Sequence, residues 1–347
     1  MEEEALLSRV IIYGLDRKPL GEFVREVDRG WMLTGNPSVS GGGQTTLSLT
    51  SDLLAKHYWQ LGHMVAIYHD KLPTWAGVID TPWDTGSLQV TCYNAEYLLN
   101  LRAPEQSLVL DGSVGSIIEQ MLLYFNAGQD MFVRVGNTAR ADQTTRQVVL
   151  DQRTYWEQIK TLLTRAGCEM TTRIEKDADG RLVVFLDIAT LAGVDTGFLY
   201  VDGQDANAYF REARLDGEIV NRVVGLGDES GQASRLITQP YFDEASIKLY
   251  GLRSRVVQFR DVRDQSTLDR YAEVYVHYSA YPKFSFLMDV LDKGDAYRNV
   301  RLGNLVRARI SNANLPAGQQ GWYGVARVLA MAYSESTGLL TTKLEAV

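Results

Sequence analysis

The sequence predicts an α+β fold that is mainly β, with two β-barrel modules in one chain and an α+β unit inserted between them. Three observations carry this expectation. The stretch from Gln60 to Leu99 reads as successive β-hairpins, its residues alternating at the period of two that turns one row inward and the other outward. The stretch from Arg301 to Val347 repeats its landmarks in the same order. Between them the texture changes to two amphipathic helices followed by a hairpin. The modules are expected at 1–102 and 199–347, with the α+β unit at 103–198.

In chain order, residues 9–35 alternate as strands, with turns at Gly14-Leu15-Asp16-Arg17 and Asp28-Arg29-Gly30. A glycine hinge, Gly41-Gly42-Gly43, enters a strand from Thr45 to Thr50. Ser51 and Asp52 are placed to cap a short amphipathic segment running to Gln60. In the hairpin stretch Val65, Ile67 and His69 form one row, and Ala66, Tyr68 and Asp70 the other. Trp75 to Ile79 is a second strand, and Leu88, Val90 and Cys92 alternate with Gln89, Thr91 and Tyr93 in a third.

The inserted unit begins where Asp111-Gly112-Ser113 precedes a helix with Val114, Ile117, Ile118, Met121, Leu122 and Phe125 on one face. A second helix turns Trp156, Ile159, Leu162 and Leu163 inward and stops at Gly167. A hairpin follows, turning at Asp179-Gly180. Strands return from Asn207, with Asp216-Gly217 as a hairpin turn. Then come a helix capped by Ser266, a strand from Phe284 to Leu291, and the repeated module.

The repeat rests on landmarks that recur in the same order. Leu61-Gly62-His63-Met64-Val65 matches Leu302-Gly303-Asn304-Leu305-Val306, and Leu72-Pro73 matches Leu315-Pro316. Trp75, Gly77 and Val78 match Trp322, Gly324 and Val325. Gly86 ahead of Leu88 and Thr91 is echoed by Gly338 ahead of Leu339 and Thr341. The loops between landmarks differ in length, as connecting segments tolerate.

Composition narrows the function classes. The chain has 347 residues, enough for two or three domains, and is 45% hydrophobic and 22% charged. Its net charge of −8 argues against a general nucleic-acid binder, which carries a basic surplus. The N-terminal Met1-Glu2-Glu3-Glu4 is acidic where a secretory signal is positive. The most apolar run, Leu182 to Val194, is interrupted by Asp187 and too short to span a bilayer, so no stable membrane insertion is expected. Two cysteines, Cys92 and Cys168, fall in different predicted domains and read as buried free thiols.

No motif makes a catalytic, cofactor or metal site, and none is assigned. Gly225-Leu226-Gly227 follows an apolar strand, but no amphipathic helix follows it to receive a pyrophosphate. His57, His63 and His69 recur every six residues, a spacing that does not converge on strands, and His277 is distant. Asp177-Ala178-Asp179-Gly180 resembles the start of a calcium loop without its later ligands. Asp80 and Asp84 flank Trp83 as a glycosidase pair would, yet the second copy lacks the counterpart of Asp80. There is no Gly-x-Ser-x-Gly element. Trp75, Trp156 and Trp322 sit where burial is a simpler account than sugar binding.

Together LGHMVAIY, the strand Trp75-Ala76-Gly77-Val78-Ile79 and LQVTCYNAEYLLNLR resemble the first barrel of phage tail hub proteins. That family includes the baseplate hub of contractile phages, the tail-associated hub of long-tailed phages, and the N-terminal part of secretion-system spike proteins. SIKLYGLRS, the polar segment STLDRYAE and RLGNLVRARI resemble the passage leading into the last barrel of such hubs, so the similarity spans the chain. The resemblance implies two tail-tube-like barrels per chain and a homotrimeric ring of six similar barrels, adapting a six-fold tube to a three-fold tip. It implies a virion protein of the tail tip, assembled in the host cytoplasm. Its partners would be distal tail or tail tube proteins, the tape-measure protein, and tip spike or receptor-binding proteins, with DNA passing through without specific binding. The chain ends directly after the last strand of the second copy, which argues against the cell-wall hydrolase extension of some hubs. The alternatives are a tail-associated peptidase or muramidase and a host-surface binding module.

Overall fold

The computed structural model describes residues 9–23, 27–28, 30–34, 44–49, 58–81, 89–202, 207–216, 218–227, 235–259, 262, 265–281, 283–310, 321–334 and 337–347. The chain is mainly β and divides into two compact units, residues 1–212 with 286–345 and 347, and residues 213–285 with 346.

The larger unit opens with β1 (Arg9–Tyr13), β2 (Pro19–Phe23), β3 (Val27–Asp28), β4 (Gly30–Thr34), β5 (Gln44–Leu49), β6 (Met64–Tyr68), β7 (Trp75–Thr81) and β8 (Gln89–Asn94). Seven of these form one sheet in the order β2-β1-β6-β7-β8-β5-β3. The turn expected at Gly14–Arg17 is present: Gly14 N–H donates to Lys18 O, Arg17 N–H donates to Gly14 O, and Arg17 takes φ 63°. The sheet must curl. Its edges β2 and β3 would lie about 29 Å apart if flat, yet the chain from Phe23 to Val27 reaches at most about 15 Å.

Two expectations for this region are corrected. Ala66 is buried along with Val65 and Ile67, so the central strands are covered on both faces. The second cover is residues 103–198, expected as a separate inserted unit, whose core forms one cluster with Ile11, Tyr13, Met64, Ala66, Ala76 and Val78. In addition, β4 does not belong to this sheet; it pairs antiparallel with a strand near the C-terminus, Met32 opposite Ala332. The expected cap at Ser51 and Asp52, the Gly41–Gly43 hinge, and Gly86 lie outside the described residues.

The inserted unit follows a 3-10 helix, Ala95–Asn100. It contains β9 (Leu108–Gly112), α1 (Val114–Phe125), β10 (Val133–Val135), β11 (Arg146–Leu150), α2 (Tyr155–Ala166), β12 (Glu169–Lys176) and β13 (Leu182–Ala189). Ser113 caps α1 by accepting from Ser116 N–H. Thr154 and Glu157 form a reciprocal capping box on α2, and Gly167 ends it in the left-handed region at φ 63°. The apolar faces expected for both helices are buried. The hairpin turns at Asp179-Gly180 as the sequence indicated, with β10 added parallel to β13.

Next come β14 (Asp195–Val201), β15 (Ala208–Asp216), β16 (Arg222–Leu226), β17 (Tyr241–Phe242), α3 (Glu244–Tyr250), β18 (Ser254–Gln258), α4 (Gln265–Ser279), β19 (Lys283–Val290), α5 (Ala296–Asn299), β20 (Leu305–Ile310), β21 (Trp322–Ser334) and β22 (Leu339–Ala346). A second sheet runs β14-β20-β21-β22-β19-β15, with β4 paired to β21. Its edges meet at one end through Asn207, whose N–H donates to Val201 O at 3.3 Å while its Oδ1 accepts from Val201 N–H at 2.8 Å.

Gly217 of the expected Asp216-Gly217 turn lies outside the described residues, but the strands on either side do not pair as a hairpin. β15 pairs in the second sheet, whereas β16 belongs to a separate three-stranded sheet, β17-β16-β18. Likewise Ser266 lies inside the first turn of α4, which already starts at Gln265, and is not its cap. Residues 213–285, read from sequence as part of the second module, form the smaller unit. Its core is Val220, Val223, Ala272, Val276 and Ala280.

Candidate assembly surfaces

The two sheets share a path of five strands. In the first, β1-β6-β7-β8-β5 are neighbours; in the second, β14-β20-β21-β22-β19. One difference is that β1 runs antiparallel to β6, whereas β14 runs parallel to β20. The correspondence extends to single bonds. Gly62 N–H donates to Ile79 O and Ile79 N–H to His63 O, each at 2.9 Å. In the second sheet Gly303 N–H donates to Val328 O at 2.8 Å and Val328 N–H to Asn304 O at 2.9 Å. Gly62 and Gly303 take φ 81° and 82°.

The Trp-x-Gly landmark has one physical cause in both sheets. Residues two apart on a strand share a face, and each tryptophan ring lies over the glycine that follows it. A Cβ on Gly77 would fall 2.4 Å from the Trp75 ring, and one on Gly324 would fall 2.6 Å from that of Trp322. Trp75 is fully buried and donates its indole N–H to Asn94 Oδ1 at 3.0 Å. Trp322 is half-buried, and its ring lies tilted at 41° against that of Phe286 with the centroids 4.8 Å apart. From Gly303 to Val328 is a longer hairpin than from Gly62 to Ile79, so the landmark shifts along the strands. Leu315-Pro316 lies outside the described residues.

Sheet edges are the surfaces through which such modules can extend. β2 is an edge that begins with Pro19 and exposes Leu20 and Glu22. On the second sheet the edges are β14, which exposes Leu199, and β15, which exposes Tyr209. Proline and charge on β2 restrict it to partners of matching shape.

The inserted unit is locked to the second sheet by a junction that no sequence signal announced. Glu169 on β12 and Arg327 on β21 form a bidentate pair, Nη1 to Oε1 at 2.6 Å and Nη2 to Oε2. The carboxylate also accepts from Ala192 N–H at 2.8 Å, and Arg327 Nε donates to Gly303 O at 3.3 Å. Gly193 and Gly303 pack backbone to backbone. A Cβ on Gly193 would sit 2.2 Å from the Gly303 carbonyl carbon, and one on Gly303 would sit 2.6 Å from Ala192 O.

One buried carboxyl lies in the first module. Glu96 accepts from Asn94 Nδ2 at 3.4 Å through Oε1, while its Oε2 is buried without a hydrogen-bond partner. Burial pushes its pKa up, partly opposed by its own backbone amide and Asn94.

The residues singled out for chemistry have local roles. Gly225 N–H donates to Thr238 Oγ1 and Gly227 N–H to Leu236 O, so neither amide is open to a phosphate. Asp177 Oδ1 accepts from Asp179 N–H and Arg181 N–H, holding the hairpin turn. His63 bonds Tyr58 O, His69 meets the Tyr333 ring and His277 meets Tyr278. Among the described residues no three His, Cys, Asp or Glu side chains could hold a metal. Asp80 accepts from Tyr97 OH at 3.5 Å, while Trp83, Asp84 and His57 lie outside the described residues. Cys92 and Cys168 are buried and unpaired as disulfides. No helix of the described residues is long and apolar enough to cross a membrane.

No protein-family model matches the chain, and no curated sequence is significantly similar to it. Solved structures are similar in fold over nearly its whole length. A tail protein of prophage MuSo2 from Shewanella oneidensis superposes with a TM-score of 0.60 at 11% identity, covering 98% of each chain. A tail protein from Neisseria meningitidis gives 0.59 at 15% identity, covering 97% of this chain and 96% of the other. Prophage tail protein gp18 from Listeria monocytogenes gives 0.58 at 12% identity, covering 97% and 94%. At these identities the likeness is one of architecture, and the chain has the fold of phage tail proteins.

Proposed function

We propose that the chain is a structural hub at the distal end of a phage tail. The first sheet, within residues 1–102, and the second, within 195–216 and 283–347 together with β4, would form two tail-tube-like barrels, with the remainder of 103–198 as an α+β decoration. Three chains would close into a ring of six similar barrels, joining a six-fold tube to a three-fold tip and lining the passage for DNA. The observation that carries this reading is the shared five-strand path with its matched Gly62/Gly303 bond pairs. Two quasi-equivalent modules on one chain are what three-fold closure needs to present six similar contacts. The tail-protein fold supports the same reading.

On this reading the partners are distal tail or tube proteins, the tape-measure protein, and tip spike or receptor-binding proteins. The protein works as an assembly element and carries out no catalysis. Native mass spectrometry of the chain, alone and with co-expressed tube and distal tail proteins, tests the proposal. Trimers in the assembled fraction are the expected result. A chain that stays monomeric with every tail protein, or that releases soluble fragments from purified cell walls, would overturn it.

A further inference from the structure

The three-stranded sheet of residues 213–285 has one covered face and one bare face. Side chains alternate between faces along a strand, and the register assigns them. Tyr241, Val223 and Val257 turn toward α4, where they pack in one cluster with its Ala272 and Val276 and with the flanking Val220 and Ala280. The other face carries Val224 opposite Val256, Phe242 opposite Arg222, and Leu226 bridged to Ile237. Val256 is 62% exposed, Ile237 56% and Phe242 54%, with Val224 and Leu226 half-buried between them.

An exposed apolar cluster of this kind, bordered by Arg222, Ser254 and Gln258, fits an interaction site. β16 and β18 run parallel while β17 is antiparallel to β16, and sheets built on parallel pairs commonly carry a layer on each face. A helix on one side and a bare apolar face on the other make two layers of a three-layer stack that a second helix would complete.

Charge fixes the kind of helix. The three strands carry two charged residues, both arginines. Arg255 is engaged by Glu218 and the Tyr275 hydroxyl. Arg222 lies on the bare face, where its guanidinium donates to Ser254 Oγ at 3.4 Å, and no carboxylate accompanies it on these strands. We propose that this face docks an amphipathic helix of another protein, apolar along one side and carrying a carboxylate at its margin for Arg222. The proposal stands independently of the hub reading.

The test uses the full chain and two synthetic fluorescent helices, each about four turns long, with the same leucine face and either glutamate or lysine margins. Fluorescence anisotropy should show saturable binding of the glutamate helix. Val256→Ser or Phe242→Ser, both at exposed positions, should weaken it about tenfold or more without changing the melting temperature. Arg222→Glu should move the preference to the lysine helix. Three results would overturn the proposal: no saturable binding below about 1 mM, equal binding of both helices, or binding unaffected by these substitutions. Self-association of the chain that Val256→Ser abolishes would overturn it as well, by assigning the face to a second copy.

Discussion

Alanine at Gly303 should cost far more stability than alanine at Gly62, although the two glycines occupy equivalent turns. Both take a left-handed φ, 81° at Gly62 and 82° at Gly303, and that conformation alone costs a non-glycine residue about 1–2 kcal/mol. The surroundings differ. A Cβ on Gly62 would meet Leu15 Cδ2 at 3.1 Å, the end of a side chain 54% exposed and free to swing away. A Cβ on Gly303 would meet Ala192 O at 2.6 Å and Ala192 C at 2.7 Å, both backbone atoms held by the Glu169–Arg327 junction. Overpacking that cannot relax adds about 1–3 kcal/mol. We therefore expect a loss of about 1–2 kcal/mol for Gly62→Ala and about 2–5 kcal/mol for Gly303→Ala. Urea denaturation followed by tryptophan fluorescence measures both. Equal losses, or a larger loss at Gly62, would refute the claim that the inserted unit is seated on the second sheet through this glycine contact.

Other outcomes follow from the buried groups. Burial raises the Glu96 pKa above its unfolded value, so its contribution to stability is fully present below the unfolded value near about 4.3 and is lost as pH rises through the folded one. Glu96→Gln should therefore match the wild type in acid and exceed it at neutral pH, as read from melting temperatures across a pH series. Arg327→Met leaves the Glu169 carboxylate, 20% exposed, without its partner; the expected loss is about 1–3 kcal/mol. The double change Arg327→Met/Glu169→Met should recover part of it in the same urea assay. Cys92 is fully buried, and that burial pushes its thiol pKa well up. A thiol-specific reagent should leave Cys92 unmodified in the native chain and label it in denaturant.

Local signals were legible because they act over a few residues. Ser113 and Gly167 delimit helices by satisfying terminal backbone groups, and Asp179-Gly180 reverses a chain whatever lies around it. The Trp75/Gly77 and Trp322/Gly324 landmarks could be read as a repeat because ring-over-glycine packing is confined to one strand. What escaped the sequence depends on partners distant in the chain. Nothing in Gly30–Thr34 says that its ladder lies with residues 330–334, since edge pairing carries no local code. The Ala66 row looks like an outward face until the inserted helices cover it. Asp216-Gly217 has hairpin chemistry, yet the residues on either side pair in different sheets. Gly193 resembles any loop glycine, and its role appears only when the Gly303 backbone is brought against it. No sequence signal marks Glu96, and its burial is a consequence of the fold.

Imaging the assembled chain along its axis by electron microscopy tests the central claim most directly. The account predicts three-fold averages in which six barrel densities alternate around one opening, two from each chain. A ring of any other symmetry, or a ring whose inner wall is built from one module alone, would contradict it.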